Sequence, residues 1–133
     1  MQFSASRPPK EHSWHNGAIR LIADKLKSQG FQVWADVNGY EQPPEIHGHI
    51  PDLIAIKRTA VGIERHIVEV ETCSSCTDSS HTKDQYEAFS RFDGKFTVVV
   101  PENCIALCKL AAQRWNIRIG GWEALPDPLP DYL

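Results

Sequence analysis

Apolar side chains recur at helical spacing near the start of the chain. They lie three or four residues apart, which places them on one face of an α-helix. Ser13 is a residue type that caps helix N-termini, and Gly30 is the residue type that most often follows a helix C-terminus. We therefore predict a first helix from Ser13 to Gly30. Its apolar positions are Trp14, Ala18, Ile19, Leu21, Ile22 and Leu26.

Further along, short segments are rich in β-branched and aromatic residues, which are typical of strands. The first of them alternates apolar and polar positions, whereas the second is an almost continuous apolar run, as in a strand covered on both faces. A hairpin turn that contains Gly62 joins the second and third segments. The predicted strands are 31–37, 51–57, 66–71, 96–100 and 117–119.

Two more helices are predicted, over 82–92 and 104–115. The element order is then α-β-β-β-α-β-α-β, which indicates an α/β domain with a mixed central sheet flanked by helices. The third and fourth strands should pair in parallel through a right-handed crossover. We predict one domain over 1–133, with a flexible lead-in at 1–12 and an extended Pro-rich tail at 120–133.

Composition narrows the class of protein without identifying its function. The chain is 41% hydrophobic and 23% charged, as an ordinary globular protein is. No segment reaches the ~20 apolar residues of a membrane span, and the N-terminus has no apolar signal core, so a cytoplasmic location is predicted. A net charge of −3 does not favour nucleic-acid binding. Catalytic carboxylates would themselves lower that sum, and a bound cation would reverse their sign locally.

Three acidic residues occupy positions where strands seldom carry charge. Asp52 opens an Ile- and Leu-rich strand, and Glu69 and Glu71 lie two residues apart in a Val- and Ile-rich one. Alternation points the two glutamates to the same face. If the second and third strands pair, all three carboxylates meet at one end of the sheet. Carboxylates that close repel one another unless a cation lies between them, and Mg²⁺ prefers such oxygen ligands.

A plainer alternative is that Glu69 and Glu71 lie on an exposed sheet face. One of them would then pair with Arg65 or Lys57. A single acid in a strand is most simply explained in this way, whereas three acids in this arrangement favour a metal site.

Asp52 after a proline, followed beyond a hairpin by Glu69-Val70-Glu71 in an αβββαβ frame, resembles the PD-(D/E)xK nuclease superfamily. Its small archaeal Holliday-junction resolvases and other minimal restriction-endonuclease-like domains have a similar length. The resemblance covers 13–119 and implies a metal-dependent phosphodiesterase. It also implies that Asp52 and Glu69 are the metal ligands.

The resemblance implies roles for two further positions. Glu71 stands where the superfamily usually has lysine, so it would bind a second metal or act as general base, or else the site is weakened. Lys57 and Lys83 are candidates for a relocated lysine. Gln85 matches a glutamine that often follows the third strand on the next helix, although a solvated polar residue would explain it equally well.

The cysteines and histidines leave alternatives open. Cys73 and Cys76, with His81 or with Cys104 and Cys108, could form a zinc site. The segment with Cys73 and Cys76 could instead be a redox motif or a polar loop beside a substrate groove. Four cysteines are too few to indicate a secreted disulfide framework. His47 and His49 could contribute to the carboxylate site, whereas His12 and His15 are interpreted as exposed residues.

The sequence therefore predicts a Mg²⁺- or Mn²⁺-dependent endonuclease domain that hydrolyses branched or duplex DNA and forms a homodimer. Asp52, Glu69 and Glu71 would bind metal, and Gln85 would orient the site. The main alternative is a catalytically inactive module with the nuclease fold that binds nucleic acid or a protein. A zinc-bound structural or redox protein is a third.

Overall fold

The computed structural model describes residues 9–130. In this part of the chain it has an α/β architecture, with a five-stranded mixed sheet and three α-helices. The elements are α1 (Pro9–Ser28), β1 (Gln32–Ala35), β2 (Leu53–Thr59), β3 (Gly62–Val70), α2 (Thr82–Phe89), β4 (Lys95–Pro101), α3 (Ile105–Arg114) and β5 (Gly121–Leu125). The predicted order of helices and strands is confirmed.

The order of strands in the sheet is the order in the chain, β1-β2-β3-β4-β5. β2 and β3 form an antiparallel hairpin around a tight turn, with Leu53 opposite Val68. β4 then pairs with β3 in parallel, with Val98 opposite Glu69, as predicted for the connection through α2. β1 and β5 form the two edges, β1 antiparallel to β2 and β5 parallel to β4.

Each face of the sheet is covered by helices, so the domain has two apolar cores. Val68 and Val70 belong to the core under α1. Ile67 and Val98 belong to the core under α2 and α3. Because side chains alternate along a strand, Glu69 points to the same face as Ile67. Glu69 and Glu71 are each only 3% exposed, so the alternative that they lie on an exposed face is wrong.

The first helix begins earlier than predicted, at Pro9 instead of Ser13. Proline suits the first turn of a helix because its missing N–H would lack an intrahelical partner there in any case. The part of the predicted flexible lead-in from Pro9 to His12 is therefore helical. Residues 1–8 lie outside the described part of the chain.

The last strand is displaced from its predicted place. Residues 117–119 do not form a strand, and β5 begins at Gly121, inside the predicted tail. Asn116 adopts a positive φ of 59°, and the N–H of Ile117 donates to Ala112 O at 3.2 Å, so the exit from α3 uses these residues. After β5 the chain returns to α1, where Trp14 Nε1 donates to Pro126 O at 2.9 Å. Residues 131–133 lie outside the described region.

Within residues 9–130, no helix combines the length and the apolar character needed to cross a membrane.

Candidate metal site at the β2–β3 carboxylates

Asp52 lies one residue before β2 and is held by the backbone of both neighbouring strands. Its Oδ2 accepts a hydrogen bond from the N–H of Val70 at 2.8 Å. Its own N–H donates to Glu69 Oε1, also at 2.8 Å. Its carbonyl accepts from the N–H of Asp36 at 2.9 Å. The β2–β3 pairing therefore fixes Asp52 against the end of β3, as the sequence predicted.

Glu71 follows β3 and is fixed from two sides. Its N–H donates to Val99 O on β4 at 2.8 Å, and its Oε1 accepts from the Ser75 hydroxyl at 2.6 Å. Its carboxyl group also lies in the wall of the same cavity as Glu69. Two carboxyl groups close together do not both ionise readily, because like charges repel each other.

The pKa of Glu69 is raised well above its ordinary value. Burial of the carboxyl group is the largest cause, and the negative charges of Asp52 and Glu71 add to it. The hydrogen bond from the Asp52 N–H acts in the opposite direction but does not offset the burial. Glu69 is thus a buried acid whose ionised form needs a positive partner.

These carboxylates face a cavity of about 810 Å³. Gln85 on α2 lies in its wall, as the resemblance implied, together with hydroxyl and acidic groups of the loop between β3 and α2. This loop is anchored, because the Thr82 hydroxyl donates to Ser75 O at 2.7 Å. The principal side chains of the cavity are His15, Asp36, Asp52, Glu69, Glu71 and Gln85.

Two residues of this cavity were not predicted from the sequence. His15 had been interpreted as exposed, but its Nε2 lies 3.3 Å from Asp52 Oδ2 and its side chain is 12% exposed. Asp36, just after β1, has a raised pKa because of burial and the charge of Asp52, while His15 partly lowers it. His15 follows Trp14, which belongs to the core under α1, so the packing of this helix on the sheet brings His15 to the cavity.

Neither candidate for a relocated lysine reaches the cavity. Lys57 points to the opposite end of β2, where its Nζ donates to Gln29 O at 2.9 Å and lies over the Phe31 ring. Lys83 is on α2 but is not part of the cavity wall. Among the described residues, no lysine or arginine lines this cavity.

His47 and His49 line a second cavity, of about 720 Å³, instead of the carboxylate cavity. This neighbouring cavity also has basic side chains, which come from the end of α2, the start of β4 and the segment after α3. α2 and the segment 47–50 contribute residues to both cavities. The basic residues of the second cavity are Arg91, Lys95 and Arg118.

The donor chemistry of the carboxylate cavity suits a hard divalent cation. The three carboxylates do not form a closed cage. Among residues 9–130, one group of three potential ligands has all its ligand atoms within 4.8 Å of one another, and that group consists of cysteines. Mg²⁺ is commonly held by one or two carboxylates and several waters. Asp52 and Glu69, tied together at the strand ends, fit that mode of binding.

All four cysteines are paired in the structure, Cys73 with Cys104 and Cys76 with Cys108. The sequence had not predicted this pairing, because the two cysteine pairs lie far apart in the chain. β3 and β4 are neighbours in the sheet, so the loop after β3 and the start of α3 after β4 meet at the same edge. His81 is not a member of the cysteine group.

Comparison with known protein families, with curated proteins and with solved structures finds no match for this chain. We therefore infer its function from the residues of the site.

Proposed function

We propose that the protein is a Mg²⁺- or Mn²⁺-dependent endonuclease that hydrolyses DNA phosphodiester bonds, with a restriction-endonuclease-like fold. The proposal rests chiefly on one observation: Glu69, only 3% exposed, lies in the wall of one cavity with Asp52 and Glu71. A structural role does not account for this arrangement, because burying several acids together destabilises a protein. A divalent cation bound between these carboxylates would compensate their charges and make the same arrangement favourable.

Each residue has a distinct task in this proposal. Asp52 and Glu69 hold the cation, with Asp52 oriented by the Val70 N–H and by His15. A bound Mg²⁺ or Mn²⁺ would supply positive charge beside the phosphate and lower the pKa of a water. Glu71, oriented by Ser75, accepts the proton of the attacking water. Gln85 contributes an amide at the cavity wall that orients the water or a phosphate oxygen.

The neighbouring cavity supports a polyanionic substrate. The carboxylate cavity has no lysine or arginine among the described residues, so its own charge repels phosphates until a cation binds. Arg91, Lys95 and Arg118, across α2, are placed to contact phosphates that flank the scissile bond. A DNA strand that crosses the segment 47–50 would contact both cavities.

The direct test is cleavage of plasmid and branched DNA with Mg²⁺ or Mn²⁺, comparing the wild type with Asp52→Asn and Glu69→Gln. Both substitutions preserve shape, so circular dichroism should be unchanged. We expect wild-type cleavage that is abolished by chelation and reduced at least ~100-fold in each variant. Wild-type cleavage that persists in both variants would show that these carboxylates are not the active site.

One observation favours a second candidate, a catalytically inactive nucleic-acid-binding module with this fold. Among residues 9–130 the cavity contains no lysine, which the superfamily usually uses to position the attacking water. This candidate predicts DNA binding that depends on Arg91 and Lys95, without cleavage in any metal. Binding with cleavage, lost in Asp52→Asn, excludes it.

A further inference from the structure

The four cysteines form one cluster of sulfur atoms. Cys76, Cys104 and Cys108 are buried, and their Sγ atoms all lie within 4.8 Å of one another. Cys73 is bonded to Cys104 and so belongs to the same cluster. The cluster joins the loop that follows Glu71 to the start of α3.

The contact between the two disulfides is close to the geometry of a metal site. Cys104 Sγ and Cys108 Sγ belong to different disulfides and lie 3.9 Å apart. In a tetrahedral zinc site with Zn–S bonds of about 2.3 Å, two ligand sulfurs are separated by about 3.8 Å. One edge of such a tetrahedron is therefore already present between sulfurs that are not bonded to each other.

The spacing of the cysteines suits the same chemistry. Cys73 and Cys76 have two residues between them, and Cys104 and Cys108 have three. Structural zinc sites commonly take their ligands in pairs that are separated by about two to four residues. This spacing allows one turn of the chain to direct two sulfur atoms at the same ion. One pair lies in the loop after β3, and the other spans the first turn of α3, with Cys108 inside the helix.

We propose that in the reduced protein these four cysteines bind one thiophilic divalent cation such as Zn²⁺, and that the two disulfides are the metal-free oxidised form. A phosphine reductant converts each disulfide to two thiols, supplying two electrons as it takes an oxygen atom from water. The cation then displaces the four thiol protons. Soft thiolate ligands distinguish this site from the carboxylate site, which suits hard cations.

The site would fix the loop that carries Ser75. Ser75 lies between Cys73 and Cys76 and donates to Glu71 Oε1 at 2.6 Å. A cation held by both cysteine pairs would anchor this loop to α3 as the disulfides do. The inference does not depend on nuclease activity, since it rests on the sulfur atoms alone.

The test uses Co²⁺ as a probe for the full-length protein, reduced with a phosphine under anaerobic conditions. Four free thiols should be titrated first. We expect one thiolate-bound Co²⁺ per chain, with thiolate-to-metal charge transfer and the visible absorption of tetrahedral cobalt, both lost when Zn²⁺ displaces it. Cys108→Ser should weaken binding at least ~100-fold, whereas Glu69→Gln should leave the spectrum unchanged.

Two outcomes would overturn the inference. In the first, the reduced wild type has four free thiols but shows no thiolate-to-cobalt absorption when Co²⁺ is added. The other is quantitative formation of both disulfides on exposure to air at the same rate with and without stoichiometric Zn²⁺. Both are measured on the wild type, so a Cys108→Ser variant that fails to fold does not weaken the test.

Discussion

Asp52 and Glu69 are linked by a hydrogen bond from the backbone N–H of Asp52 to Glu69 Oε1 at 2.8 Å. Asp52 Oδ2 in turn accepts from the N–H next to Glu69, that of Val70. The two carboxyl groups are therefore oriented by the backbone of paired strands and not by long side chains. Rigid strands hold functional groups more accurately than loops do, and hydrogen bonds to ionised groups are among the stronger ones.

Glu69→Gln should stabilise the metal-free protein at neutral pH. The amide retains an oxygen for the Asp52 N–H, and it removes the cost of burying an acid that is ionised in the unfolded chain at neutral pH. We expect a gain on the order of 1–3 kcal/mol, seen as a melting temperature higher by about 3–10 °C in the presence of a chelator. Glu87→Gln, an exposed position on α2, is the matched control and should shift it little.

The same group determines a pH dependence. The raised pKa of Glu69 means that the folded protein binds this proton more tightly than the unfolded chain, whose glutamates titrate near 4.5. Stability from this group is thus fully present below pH 4.5 and is lost as pH rises towards the folded pKa. Differential scanning fluorimetry should show a steeper decline above this pH for wild type than for Glu69→Gln. Parallel profiles would contradict the assignment.

Ser75→Ala should destabilise the protein. The Ser75 hydroxyl donates to Glu71 Oε1 at 2.6 Å and accepts from the Thr72 N–H at 2.9 Å, so its loss removes one hydrogen bond from each of two buried residues. The cost should be about 1–3 kcal/mol in urea unfolding. Ser90→Ala is the control, because that exposed hydroxyl bonds only Glu87 O at the end of α2. Equal effects of the two substitutions would argue against a supporting role for Ser75.

Tyr86→Phe should leave stability unchanged or raise it by up to about 1 kcal/mol. Tyr86 is fully buried, and within residues 9–130 its hydroxyl is the one buried side-chain polar atom that has no hydrogen-bond partner. Burial and the nearby carboxylates raise the pKa of Tyr86 above its ordinary value. The ring would keep its edge contacts with Phe96 and Trp115. A loss above about 1 kcal/mol would show that a bound water or ligand satisfies the hydroxyl.

His15→Ala should lower DNA cleavage about 10- to 100-fold, as loss of a group that orients a metal ligand commonly does. His15 Nε2 lies 3.3 Å from Asp52 Oδ2, whereas exposed His12 lies one helical turn earlier and serves as the control. The measurement is initial rate against Mg²⁺ concentration, and His15→Gln should restore part of the apparent metal affinity. An unchanged Mg²⁺ dependence in His15→Ala would remove His15 from the site.

The sequence predicts the order of helices and strands along the chain and the parallel pairing of β3 with β4, because alternation and apolar runs reflect the two covered faces of the sheet. The prediction of a strand at 117–119 was wrong. Ile117 and Ile119 are residue types typical of strands, but they lie in the exit from α3 and pack on the core under α2 and α3. Local composition does not distinguish a strand from an apolar turn that a helix end positions.

In the candidate site, the residues that lie close together in the sequence were predictable, whereas the residues that come from distant parts of the chain were not. Asp52, Glu69 and Glu71 could be recognised because they are acidic residues within or beside apolar strands. One hairpin brings these strands together. His15 and Asp36 come from α1 and the end of β1, and no sequence pattern links either residue to Asp52. The meeting of the two cysteine pairs likewise depends on β3 and β4 being neighbours.

The identity between sheet order and chain order has a consequence for how the domain folds. β2 and β3 are consecutive strands joined by a two-residue turn, Ala60-Val61, so Asp52 and Glu69, 17 residues apart, meet at the open end of the most local strand pair in the sheet. Local contacts form with little loop-closure entropy. We expect the carboxylate pair to assemble with the hairpin, before α1 and α2 cover it. A divalent cation that binds these two residues would then speed refolding as well as slow unfolding.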